Sequence, residues 1–191
     1  MNDILEAEIA RTLKVLKNGG VILYPTDTIW GIGCDATNFK TVEKVYKIKK
    51  RKENKNLIIL VNGFDMLSRY VKKVPEIAGD LIGSIDKPVT VIYDNVCNLP
   101  KNVGAADGTI AIRIVKDDFC SRLIELFQKP VISSSANISG EDAPLVFSRI
   151  SESVIKAVDY TVGLYRDQFN QAKASTIIRL TESGEYKIIR E

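Results

Sequence analysis

Three observations predict an α/β domain built on a mixed β-sheet. Short runs rich in apolar and β-branched residues at 21–24, 57–61, 89–93 and 109–115 read as strands, several of them buried. Segments with apolar residues at helical spacing separate them. The late strand candidates, 158–162, 175–180 and 186–189, leave too little chain for crossover helices, so some pairs must be antiparallel. With 191 residues and 45% hydrophobic content, the chain can bury a full core as one domain, 1–191.

Asn2 or Asp3 can cap a first helix whose apolar positions are Ile4, Leu5, Ile9, Leu13 and Leu16, and Gly19-Gly20 stops it. Strand 21–24 ends at Pro25, which cannot donate to a sheet ladder. A second helix starts at Thr41 with Val42, Val45, Tyr46 and Ile48 inward, and strand 57–61 follows. Short helices are expected near 65–71 and 75–82, then strand 89–93, a loop over 95–108 and strand 109–115. A helix at 119–128 leads to strand 130–133, a polar loop at 133–140 and one more helix carrying Leu145, Val146, Ile150, Val154 and Ile155.

The formal charge is only +3, from 27 basic and 24 acidic residues, so no global field demands a nucleic-acid partner. The chain has no histidine, which removes imidazole from every metal site, acid-base role or triad. Cys34, Cys97 and Cys120 are odd in number and far apart, as expected of buried free thiols rather than a disulfide framework or zinc motif. The acidic start is no secretory signal and the apolar runs are too short to span a bilayer, so a cytoplasmic location with no membrane contact is expected.

Four stretches could carry chemistry. Thr26, Asp27 and Thr28 put two hydroxyls and a carboxylate at the carboxyl end of a strand, and Gly31 and Gly33 permit close backbone approach. Alternatively these side chains only cap their own turn. Residues 47–55 hold six bases against one acid. They form either a solvated helix end or, if the helix stops near Lys49, a segment presenting Lys49, Arg51 and Lys55 to one polyanion. Arg113 shares a strand face with Thr109 and Ala111 and needs an anionic partner, either a protein carboxylate or a substrate. Four serines and Asn137 in the run 133–140 suit phosphate binding or simple capping; a serine nucleophile would lack a base.

The segment Pro-Thr-Asp-Thr at 25–28, the Lys-x-Arg pair Lys49 and Arg51, and the Ser-x-Asn pair Ser135 and Asn137 together resemble the YrdC family, in order and spacing from Val21 to Arg190. The resemblance implies a twisted, open mixed sheet with flanking helices around a basic concave cavity. It also implies an L-threonylcarbamoyladenylate synthase, a nucleotidyltransferase that forms threonylcarbamoyl-AMP and pyrophosphate from L-threonine, bicarbonate and ATP. The product would serve threonylcarbamoyladenosine modification of tRNA through a tRNA threonylcarbamoyl transferase, with Mg²⁺ carried on ATP and possible contact with tRNA.

By position, the resemblance assigns Thr28, Arg113, Ser133 and Ser175 to threonine. It assigns Lys49, Arg51, Lys55, Thr109, Ser135, Asn137 and Arg190 to the nucleotide, with Lys49 and Arg51 catalytic. No protein metal ligand is expected. The chain departs from the family's usual pattern at Trp30 (usually Tyr), at Lys52, Asn56 and Ala174 (usually Pro), and at residues 84–90. Ending at Glu191, it is expected to be the single-domain form. The rival reading is a non-catalytic RNA-binding protein of the same fold, although no aromatic platform lies beside the basic run.

Overall fold

The computed structural model describes residues 2–51, 57–167 and 174–191. Helix α1 (Asn2–Lys17) has Asp3 in its first turn and Lys14 and Lys17 in its last, all favourable to its dipole. It ends where the glycine pair predicts. Gly19, at φ +70°, donates to Leu16 O at 3.0 Å, and Gly20 N donates to Val15 O at 2.9 Å, the paired bonds of a left-handed helix stop.

Strands β1 (Ile22–Tyr24) and β2 (Gly31–Gly33) form an antiparallel pair around the turn at 25–30. Helix α2 (Phe39–Ile48) is capped by the Asn38 side chain and starts two residues before Thr41. It leads to β3 (Ile58–Val61), the short helices α3 (Phe64–Leu67) and α4 (Ile77–Gly83), β4 (Val89–Tyr93) and β5 (Ile110–Ile114). Helix α5 (Asp118–Phe127), β6 (Val131–Ser135), a 3₁₀ turn (Phe147–Arg149), α6 (Glu152–Ala157), β7 (Tyr160–Thr161), β8 (Thr176–Leu180) and β9 (Tyr186–Arg190) complete the described chain.

Among the described residues, nine strands make one sheet in the order β7-β1-β2-β6-β3-β5-β4-β8-β9. Pairs β1–β7, β3–β5 and β4–β8 are parallel and the others antiparallel, so the sheet is mixed, as the late strands required. Several elements differ from the sequence reading. Strand β2 was not anticipated, and β6 runs on through Ser135, so Ser133 to Ser135 are sheet residues rather than loop. The predicted helix over 145–155 also begins late: Leu145 is exposed, and the α-helix starts only at Glu152.

Alternation along the strands gives the sheet two unlike faces. Cross-strand neighbours Ile132, Ile59, Ile112, Val91 and Ile178 form one fully buried apolar row. Helices α1 and α5 pack on each other and against β1 and β3, and α3 packs against β3 and β5. The next row, on the opposite face, reads Ser133, Ile58, Ala111, Ile92 and Arg179. That face is half polar, and it carries the site.

Among the described residues, no helix is long and apolar enough to cross a membrane. Cys34 and Cys120 are buried and Cys97 half-buried; all three are free. Burial pushes the Cys34 thiol up to about 12 and Cys120 well above its usual value, so neither is a ready thiolate.

Candidate active site

A cavity of about 340 Å³ opens on the polar face. Seven of the eleven residues singled out in the sequence line it: Thr28, Arg51, Arg113, Ser133, Ser135, Ser175 and Arg190. Ile58, Ala111, Ile92 and Ile177 give it an apolar floor, and Trp30 one wall. Trp30 is itself braced, its ring centroid 4.8 Å from that of Phe147, over which the Arg166 guanidinium lies at 4.9 Å.

Strand alternation explains the convergence. Ser133 and Ser135 are two apart on β6, Ala111 and Arg113 two apart on β5, and the registers Ile58↔Ser133 and Ile58↔Ala111 align them. Gly33 allows the strands to close: a Cβ there would stand 2.4 Å from Ile132 O and 2.5 Å from the Tyr24 ring.

Arg113 is only 3% exposed and has a protein carboxylate beside it, one of the two partners left open by the sequence. Its Nη2 lies 3.1 Å from Asp27 Oδ1 and donates to Thr26 Oγ1 at 3.3 Å, while its buried Nε–H has no acceptor. Ser175 and Thr90 share a hydroxyl bond of 2.7 Å, and Arg190 donates twice to Ser175 O, at 2.8 and 3.2 Å. Burial, and then the neighbouring Arg113 charge, lower the Arg190 pKa from its usual value.

The Lys49 neighbourhood differs from expectation. Helix α2 does stop there: Lys50 N donates to Lys47 O and Arg51 N to Tyr46 O, with Lys50 left-handed at φ 48° where glycine is usual. The chain then turns Arg51 into the cavity. Lys49 does not line it. Lys49 is 2% exposed, and its Nζ donates to Ser135 O at 2.5 Å, Asn137 O at 2.8 Å and Asn137 Oδ1 at 3.2 Å. Those contacts engage all three donors of an ammonium. Lys49 O also accepts from Ser139 N at 2.8 Å. Lysine 49 therefore stitches the end of α2 to the loop after β6. Burial, reinforced by Arg51, lowers its pKa from 10.5 to about 8.

Asn137 sits in the same stitch, accepting from Ser135 Oγ at 2.5 Å and donating to Glu141 O at 2.6 Å, beside the cavity rather than in its lining. Thr109 also stays outside the lining, its hydroxyl and N–H both donating to Asp107 Oδ1 at 2.7 and 3.1 Å. Lys55 lies outside the described residues. The sequence reading missed Asp27 as the partner of Arg113 and the inward turn of Lys49. The second had a signal, since Val42, Val45, Tyr46 and Lys49 fall on one helical face.

The Sua5/YciO/YrdC family model, described as telomere recombination, matches residues 14–191. The chain belongs to the Sua5/YciO/YrdC family. It is 34% identical over 194 residues to a putative threonylcarbamoyl-AMP synthase of Methanocaldococcus jannaschii, covering 99% of this chain and 89% of that protein. A threonylcarbamoyl-AMP synthase of Pseudoalteromonas translucida is 32% identical over 160 residues, 82% of this chain and 86% of its own. P. abyssi Sua5 complexed with L-threonine superposes with a TM-score of 0.79 at 25% identity, over 90% of this chain and 50% of that one. This Sua5/YciO/YrdC chain thus spans about half the length of Sua5. E. coli YciO, at TM-score 0.81 and 22% identity, covers 96% of this chain and 88% of its own and shares the fold.

Proposed function

We infer that this chain is an L-threonylcarbamoyladenylate synthase, forming threonylcarbamoyl-AMP and pyrophosphate from L-threonine, bicarbonate and ATP. The observation that carries the reading is the meeting, in one cavity, of two hydroxyl-and-guanidinium sets distant in sequence. The curated relatives named threonylcarbamoyl-AMP synthase support it.

On this reading, threonine amine and bicarbonate condense to a carbamate with loss of water. The carbamate oxygen, already anionic, attacks the α-phosphorus of ATP, and pyrophosphate leaves with the electron pair of the broken P–O bond. No general base is required at that step, consistent with a chain that has no histidine. What the protein must supply is position and positive charge. Thr28, Arg113, Ser133 and Ser175 would take threonine, with the Arg113 fork on its carboxylate. Arg51, Ser135 and Arg190 would take the nucleotide, Arg51 standing where charge grows on the departing pyrophosphate. Lys49 and Asn137 would act by holding the Ser135 loop.

Among the described residues, no three carboxylates or thiols gather as a metal cage. A Mg²⁺ carried on ATP would be held by the phosphates and water, and would neutralise phosphate charge. The product would pass, in the cytoplasm, to a tRNA threonylcarbamoyl transferase. The test is pyrophosphate release with each substrate omitted in turn. Release should require ATP, threonine and bicarbonate together; release undiminished without threonine and bicarbonate would overturn the reading. RNA binding with a steep salt dependence and no turnover would favour the non-catalytic alternative.

A further inference from the structure

The Asp27 carboxylate is 9% exposed, and neither oxygen accepts a hydrogen bond. An aspartate in a turn ordinarily accepts from the backbone two residues on. Here Thr26 does that instead: its Oγ1 accepts from Thr28 N at 3.1 Å, bonds Thr28 Oγ1 at 2.9 Å and donates to Ile29 O at 2.9 Å. The turn therefore closes without Asp27. Among the described residues, Arg113, 3.1 Å away, is the cation that Asp27 pairs with. The neighbouring carboxylate Asp117 caps α5 through one oxygen, Oδ1 accepting from Cys120 N at 2.8 Å, while its buried Oδ2 has no hydrogen-bond partner and the Asp27 charge helps burial raise its pKa.

A buried charge without hydrogen bonds is costly, and its retention needs a compensating role. Asp27 and Thr26 together engage Nη2 of Arg113 from the turn side, leaving the Nε–H without an acceptor. The same turn presents Thr28 to the cavity. We propose that Asp27 is a positioning residue for threonine: it fixes the Arg113 guanidinium so that its remaining donors face the substrate carboxylate, and couples that orientation to Thr28. This inference rests on the synthase reading and adds a residue to it.

The test uses the full chain and Asp27→Asn, which keeps shape and removes charge. Threonine KM should rise about 10-fold, the scale for residues that orient a binding group rather than touch the ligand. ATP Kd should stay within about twofold, since the phosphate groups are untouched. In an Arg113→Lys background, Asp27→Asn should change threonine KM by less than about twofold, because a flexible ammonium has no fork to orient. An equal loss in both backgrounds, an unchanged threonine KM, or an equal weakening of ATP would each overturn the proposal. If Asp27→Asn does not fold, Asp27→Glu keeps the charge and displaces it by one methylene. Threonine KM should again rise with ATP Kd unchanged, and an unchanged KM would overturn the inference. A wild-type chain that does not use threonine at all would refute the function, and this inference with it.

Discussion

Replacing Lys49 with methionine keeps most of the aliphatic stem and removes the ammonium. Ser135 O, Asn137 O and Asn137 Oδ1 then lose the ammonium, at a position only 2% exposed, although Ser135 O keeps the Asn137 N–H and Asn137 Oδ1 keeps the Ser135 hydroxyl. Hydrogen bonds to a charged group contribute about 1.5–3 kcal/mol each, so three amount to roughly 5–9 kcal/mol before the cost of burial. That cost is visible in the pKa, lowered from 10.5 to about 8. The drop corresponds to about 3 kcal/mol. Because the acceptors are only partly buried, the low end applies, and a net loss of about 2 kcal/mol is expected. For a chain of this size that lowers Tm by about 4–8 °C. Turnover should fall about 10²-fold, because the loop that positions Ser135 is released and small misplacements cost that much. Thermal unfolding and pyrophosphate release on one preparation test both parts. An unchanged Tm with normal turnover would show that Lys49 holds nothing and is an ordinary solvated base.

Arg51→Ala should separate from Lys49→Met, lowering turnover by about 10²-fold as for one preorganised charge-stabilising group, with a smaller loss of Tm. Lys50→Gly should raise stability by about 1 kcal/mol in denaturant unfolding, because φ 48° suits glycine. The pH dependence has a definite sign. With Lys49 lowered to about 8 against 10.5 unfolded, the unfolded chain holds the extra proton between those values. Stability of wild type relative to the non-titrating Lys49→Met should therefore rise as pH increases through that window. A flat difference across the window would show that the amine is not desolvated.

Much of the fold was legible because the strands at 58–61, 89–93 and 110–114 are nearly pure β-branched or apolar runs and the helix stops carry glycine or a basic end. Strand β2 was not, because Gly31-Ile32-Gly33 has little strand propensity of its own. It is a strand because β1 and β6 flank it and Gly33 leaves room for the Tyr24 ring. Likewise Ser134 and Ser135 read as loop residues, yet pairing with Ile32 and Gly31 keeps them in the sheet. At the site, the residue types pointed to anion binding, and seven of them meet. The pairing of Asp27 with Arg113 joins positions far apart in the chain, and no local pattern encodes it. Lys49 was hidden differently: a run of six bases masks the one that helical spacing turns inward.

The most direct test of the synthase reading is the mass of the nucleotide product. Incubated with ATP, L-threonine and ¹³C-bicarbonate, the protein should give threonylcarbamoyl-AMP heavier by one neutron mass than with ordinary bicarbonate. A nucleotide product whose mass ignores the bicarbonate label, such as AMP alone or threonyl-AMP, would contradict it.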